Sequence, residues 1–203
     1  MDTQNYLQDI KDIKQMMSQS SQFISLSGSS GILAGLYAII GGCYVNHLID
    51  NHTQKYILLE SDLFQQIIFT AVAVLLASLV TAYIMTARKA RRMGEKVWNP
   101  VSKRLVVNFA IPLVTGGIFA LLLLRQGHYG LIAPITLLFY GLACLNASKY
   151  TLRDVRYLGI TEIILGLLAV EFSGYGLQFW IIGFGLCHIL YGTMMYFKYD
   201  RKK

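Results

Sequence analysis

Glu162 and His188 are the residues of this sequence whose types and settings most require a chemical explanation. Each stands inside an apolar run, TEIILGLLAV for the acid and GLCHILYG for the base. A group that can ionise is costly in hydrocarbon, so it turns toward the interior of a protein and finds a partner. The turn SGYG, residues 173–176, separates the two runs, and Glu162 lies 12.5 residues before its centre and His188 13.5 residues after it. At about 1.5 Å per helical residue the two reach nearly the same depth in adjacent antiparallel helices. Gly159 and Gly166 flank the acid at helical spacing, and Gly185 and Gly192 flank the base, which leaves room for a polar contact. The spacing predicts a hydrogen-bonded pair, and two purposes stay open for it: structural packing, or a site for a proton, ion or ligand.

Other chemistry is sparse. His47, His52 and His128 fall at or beyond the outer ends of apolar runs and, with Asp50 or Glu60, have the side-chain types of a zinc site; histidines at a membrane interface need no metal, and no metal is assigned. No HExxH, GxSxG, Walker loop or GxGxxG is present, so no catalytic residue and no cofactor is assigned. Cys43, Cys144 and Cys187 are odd in number, lie in apolar runs and form no CxxC, which points to packing rather than to a disulfide framework.

The elements that must position the pair follow from composition. The chain has 203 residues, 55% apolar and 14% charged, with a mean hydropathy of +0.49. Six apolar stretches, at 29–48, 64–85, 105–124, 129–147, 157–172 and 177–197, predict an all-α polytopic bundle of six transmembrane helices as residues 29–203. The fifth is short and would need Arg156 to snorkel outward. The longest remaining piece, residues 1–28, is too small for a soluble catalytic or nucleic-acid-binding domain. Its first 22 residues are polar and mixed in charge, so no cleavable signal peptide is expected.

Within that piece Tyr6, Ile10, Ile13 and Met17 line one helical face, predicting an amphipathic helix over 5–20 and an SLSGSSG elbow after it. That helix lies on the membrane, packs on the bundle, or docks a cytoplasmic protein partner. Six crossings with both termini in the cytoplasm place 16 of 18 Lys and Arg residues on the inner side, leaving only Lys55 and Arg125 outside. The net charge of +7 therefore reflects orientation in the membrane and not nucleic-acid binding. The basic run at 88–104 is expected to lie against anionic lipid, with Trp98 as an interfacial anchor and Asn99-Pro100 ending a helix continued from the second span.

Ser27, Gly31 and Gly35 recur every four residues, a small-residue ridge that serves either packing within the chain or a homo-oligomer seam. Pro112 and Pro134 predict kinks that free the carbonyls of Asn108 and Gly130, with Asn146 near the first of them. The run FISLSGSSGILAGLYAIIGG, residues 23–42, together with the six-span layout, resembles small bacterial integral membrane proteins of uncharacterised function. The resemblance implies a bacterial cell membrane and brings no activity or site residue. The sequence thus favours a non-enzymatic sensor, regulator or assembly partner; the alternative is a small homodimeric proton- or ion-coupled transporter using Glu162 and His188.

Overall fold

The computed structural model describes residues 22–51 and 61–201, and the amphipathic helix expected over 5–20 lies outside them. The fold is all-α, with helices α1 (Gly28–Asp50), α2 (Asp62–Arg92), α3 (Pro100–Arg125), α4 (Ile132–Ala147), α5 (Asp154–Glu171) and α6 (Gly176–Asp200). Among the described residues, α1, α2, α3, α4 with its preceding turn (Tyr129–Ala147), and α6 are long and apolar enough to cross a membrane. The expected fifth span, 157–172, falls in α5, which is not among these five: its 18 residues carry Asp154, Arg156, Glu162 and Glu171. The chain is therefore a multi-pass membrane protein in contact with a lipid bilayer.

Local chemistry sets the helix ends. Helix α2 stops at Arg92 because Gly94, at φ 70°, lets Glu95 N–H donate to Ala90 O and Gly94 N–H donate to Arg91 O. This glycine-closed end is the motif in which a left-handed residue satisfies two orphan carbonyls. Asn99-Pro100 consequently opens α3 and does not end α2. Asn99 Oδ1 accepts from Ser102 N–H at 2.8 Å, Ser102 Oγ accepts from Asn99 N–H at 2.9 Å, and Pro100 occupies the first helical position.

Pro112 lies inside α3, and Asn146 Nδ2 of α4 donates to Asn108 O at 2.8 Å, the carbonyl that a proline four residues on leaves free. Pro134 falls in the first turn of α4, where helical N–H groups have few internal partners anyway, so the kink expected there is not required.

Two close helix contacts hold the centre. Helix α5 runs antiparallel to α4: a β-carbon at Gly159 would meet Gly141 O at 2.7 Å, and one at Gly166 would meet Leu138 Cγ at 2.7 Å. Helix α1 packs on α6 in the same manner. A β-carbon at Gly31 would stand 3.3 Å from Gly192 Cα, and one at Gly35 would stand 2.6 Å from Gly185 O. Gly31 and Gly35 thus face the chain's own last helix and are not left on the surface as an oligomer seam. Ser27 precedes the helix and bonds Ser29 Oγ at 2.8 Å.

The SLSGSSG elbow, residues 25–31, read from sequence as flexible or tightly packed, is of the second kind: it enters α1 at Gly28, and residues 22–27 before the helix are pinned at one end of the bundle. Phe23 N–H donates to Tyr150 O at 2.7 Å, Thr151 Oγ1 donates to Phe23 O at 2.8 Å, and buried Ser25 bonds Glu95. Lys89 Nζ reaches Leu26 O at 2.9 Å and Asp200 Oδ1 at 2.6 Å, while Asp200 Oδ2 accepts from Gly28 N–H at 3.0 Å. At this basic end Asp154 also pairs with Lys198 at 3.0 Å. Cys144, Leu152, Val155 and Met195 form the apolar core directly beneath.

Candidate functional site: a buried acid, imidazole and phenol

The close approach of α5 to α4, and the fit of α6 beside them, bring Glu162, His188 and Tyr140 together. Glu162 Oε1 is 3.4 Å from His188 Nδ1, and the two side chains are 0% and 9% exposed. Tyr140 O–H and His188 Nε2 are 2.7 Å apart. Gly183 O lies 3.0 Å from His188 Nδ1.

Helix α6 is wound to make these contacts. Residues Ile181–Cys187 and Tyr196–Asp200 are π-helical, with an α-helical stretch from His188 to Met195 between them. The wider π turn places His188 above the carbonyl five residues earlier, and such turns are rare enough to mark sites under functional constraint. Gly183 is required for a second reason. A β-carbon there would collide with Glu162 Oε2 and stand 2.6 Å from Leu137 Cδ2.

The proton on His188 can be placed from its partners. A carbonyl oxygen only accepts, so Nδ1 must carry a hydrogen and donate it to Gly183 O. In a neutral imidazole Nε2 then accepts from the Tyr140 hydroxyl; in a doubly protonated one it donates to the Tyr140 oxygen. Either way both ring nitrogens are engaged, and Glu162 lies beside Nδ1–H without receiving its hydrogen bond. The hydrogen bond expected between Glu162 and His188 is thus replaced by a 3.4 Å approach. Among the described residues, Glu162 Oε1 and Oε2 and Thr86 Oγ1 are the buried side-chain oxygens lacking a hydrogen-bond partner.

Aromatic rings wrap the imidazole. Phe184 stacks on His188 with centroids 5.7 Å apart, Tyr140 tilts against it at 5.2 Å, and Trp180 lies 5.0 Å from Phe184. Such a wall excludes water, so a net charge inside it carries a heavy desolvation cost. The arrangements without net charge are a neutral acid beside a neutral imidazole and a carboxylate beside an imidazolium, so the protonation states of Glu162 and His188 are coupled. The cluster can therefore hold a proton.

Tyr140 and Gly183 were not singled out in the sequence. The signal for Tyr140 was a phenol within an apolar run, whose hydroxyl needs a partner when buried. Of the outer histidines, His47 contacts Asn51 Nδ2 at 3.0 Å, and among the described residues no group of three His, Cys, Asp or Glu side chains stands close enough to hold a metal.

Comparisons with protein-family models, with curated proteins and with solved structures found no match to this chain, so the likeness noted over residues 23–42 gains no family from them.

Proposed function

We propose that this protein is a non-enzymatic sensor or regulator of a bacterial cell membrane, in which Glu162, His188 and Tyr140 form a sealed protonatable element. The observation that carries this reading is the Glu162 carboxylate, fully buried with neither oxygen hydrogen-bonded, 3.4 Å from an imidazole. Burying a polar group without partners costs stability, so a carboxylate in this setting adds little to packing. Its value then lies in what it does on gaining or losing a proton.

In this reading α5 also crosses the membrane. It runs the depth of α4, its inward face carries Gly159, Glu162 and Gly166, and its other charges, Asp154, Arg156 and Glu171, stand at its two ends. Six crossings put both termini on one side, and the excess of Lys and Arg there marks it as cytoplasmic. The segment 88–104 then lies against the inner leaflet, and the amphipathic segment 5–20, outside the described residues, stands on the same side as a docking helix for a cytoplasmic partner.

The alternative is a homodimeric proton- or ion-coupled transporter, favoured by the two unsatisfied oxygens of Glu162 and opposed by their complete burial. Fluorescence of Trp180, with Trp98 replaced by Phe, separates the readings, because Trp180 contacts the ring stacked on His188. A sensor gives a pH-dependent signal in the wild type that is lost in Glu162→Gln, with no proton flux into sealed vesicles. Flux that depends on Glu162 establishes the transporter, and a signal flat with pH rejects the sensor.

A further inference from the structure

The acids and bases at the basic end are sorted by direction. Glu95 turns in to Ser25, Asp154 to Lys198, and Asp200 to Lys89 and Gly28 N–H. Arg88, Lys103 and Arg156 are exposed, and among the described residues none has an ion-pair partner. Each stands four residues from an exposed aliphatic side chain on the same helix face: Ile84 before Arg88, Val107 after Lys103, and Ile160 after Arg156. Farther along, Ile111 continues the α3 stripe and Ile164 the α5 stripe, both exposed.

We infer that Arg88, Lys103 and Arg156 form a collar that holds the phosphates of anionic phospholipid headgroups. The inference rests on the membrane reading above and adds its ligand. A cation that continues a lipid-facing stripe stands where the acyl chains end and the phosphates begin, and it does not point along the bundle axis toward the aqueous phase. Trp98 and Tyr157, 60% and 57% exposed at the same end, have the amphipathic rings that settle at headgroup depth. Among the described residues the carboxylates at this end, Glu95, Asp154 and Asp200, turn inward, so the collar's charge is available to lipid.

The test uses the full chain in nanodiscs of phosphatidylcholine alone or mixed with phosphatidylglycerol. Anionic lipid should raise the unfolding midpoint by roughly 5–10 °C at low salt, and high salt should remove the gain. Arg88→Gln with Lys103→Gln and Arg156→Gln should lose most of that gain, whereas Arg91→Gln with Arg92→Gln and Lys96→Gln, an equal loss of charge beyond the stripes, should keep it. Equal losses in the two triple variants, or none in either, overturn the collar. Poly-glutamate that stabilises the phosphatidylcholine sample as well as phosphatidylglycerol does overturns it in favour of an acidic protein. If the collar variant does not fold, native mass spectrometry of the wild type decides: preferential retention of phosphatidylglycerol supports the collar, and equal retention of both lipids ends it. Failure to insert into either nanodisc would sink the membrane reading itself, which separates the two claims.

Discussion

The carboxylate of Glu162 occupies the space that a β-carbon on residue 183 would fill. Helix α6 therefore accepts the acid only because Gly183 has no side chain, and the two positions must be energetically coupled. Gly183→Ala should destabilise the protein in detergent by about 1–3 kcal/mol, the usual cost of overpacking. In a Glu162→Ala background the same change should cost much less. Additive effects in that double-mutant cycle would show that the two residues do not meet.

Replacing Glu162 should reveal that it is not a packing residue. Were the pair a packing contact, as one of the two purposes read from sequence has it, Glu162→Leu would be more damaging than Glu162→Gln, because leucine would strand His188. The structure reverses this order, since His188 has its own partners in Gly183 O and Tyr140. Leucine removes two oxygens that bond nothing, whereas glutamine leaves a buried amide unsatisfied. Thermal unfolding in detergent should find Leu at least as stable as the wild type and Gln no better than Leu.

Asp200 joins both ends of the described chain through Lys89 and Gly28 N–H. Asp200→Ala leaves Gly28 N–H unanswered and Lys89 with Leu26 O alone, and should cost about 1.5–3 kcal/mol, the range for hydrogen bonds to charged groups. Hydrogen exchange in residues 22–30 should accelerate before that of α4. Uniform acceleration would mean that Asp200 does not specifically hold this segment.

Single cysteines introduced in a background lacking Cys43, Cys144 and Cys187 test whether α5 crosses. Cysteines at Lys149 and Ser173 flank α5, so an impermeant reagent added outside intact cells should label the second and not the first. Labelling of both from one side would leave five crossings.

Much of the architecture was legible because it follows from periodic or local signals. The runs of apolar residues marked the helices, equal distances from a short turn brought Glu162 and His188 to one depth, and Pro112 announced a free carbonyl at Asn108 that Asn146 fills. Contacts that join distant parts of the chain left no such trace. Lys89 and Asp200 are 111 residues apart, and neither charge differs in sequence context from its solvated neighbours. The SLSGSSG segment reads as either a flexible or a tightly packed elbow, and the sequence does not choose: Ser25 is fully buried because the chain around residues 95 and 150–151 folds back over this segment. Helix α5 reads as a span from its apolar content, while the charges that distinguish it are Asp154 and Arg156 just before that stretch, Glu171 at its end, and Glu162 itself.

The account turns on whether the protonation of His188 is coupled to Glu162, and ¹⁵N NMR of imidazole-labelled protein in nanodiscs, followed across pH, reads this directly at His188. The account predicts a protonated Nδ1 at every pH at which the fold is intact, and a titration of Nε2 that moves markedly in Glu162→Gln. An unprotonated Nδ1 in the folded protein, or a titration curve identical in the variant, would contradict it.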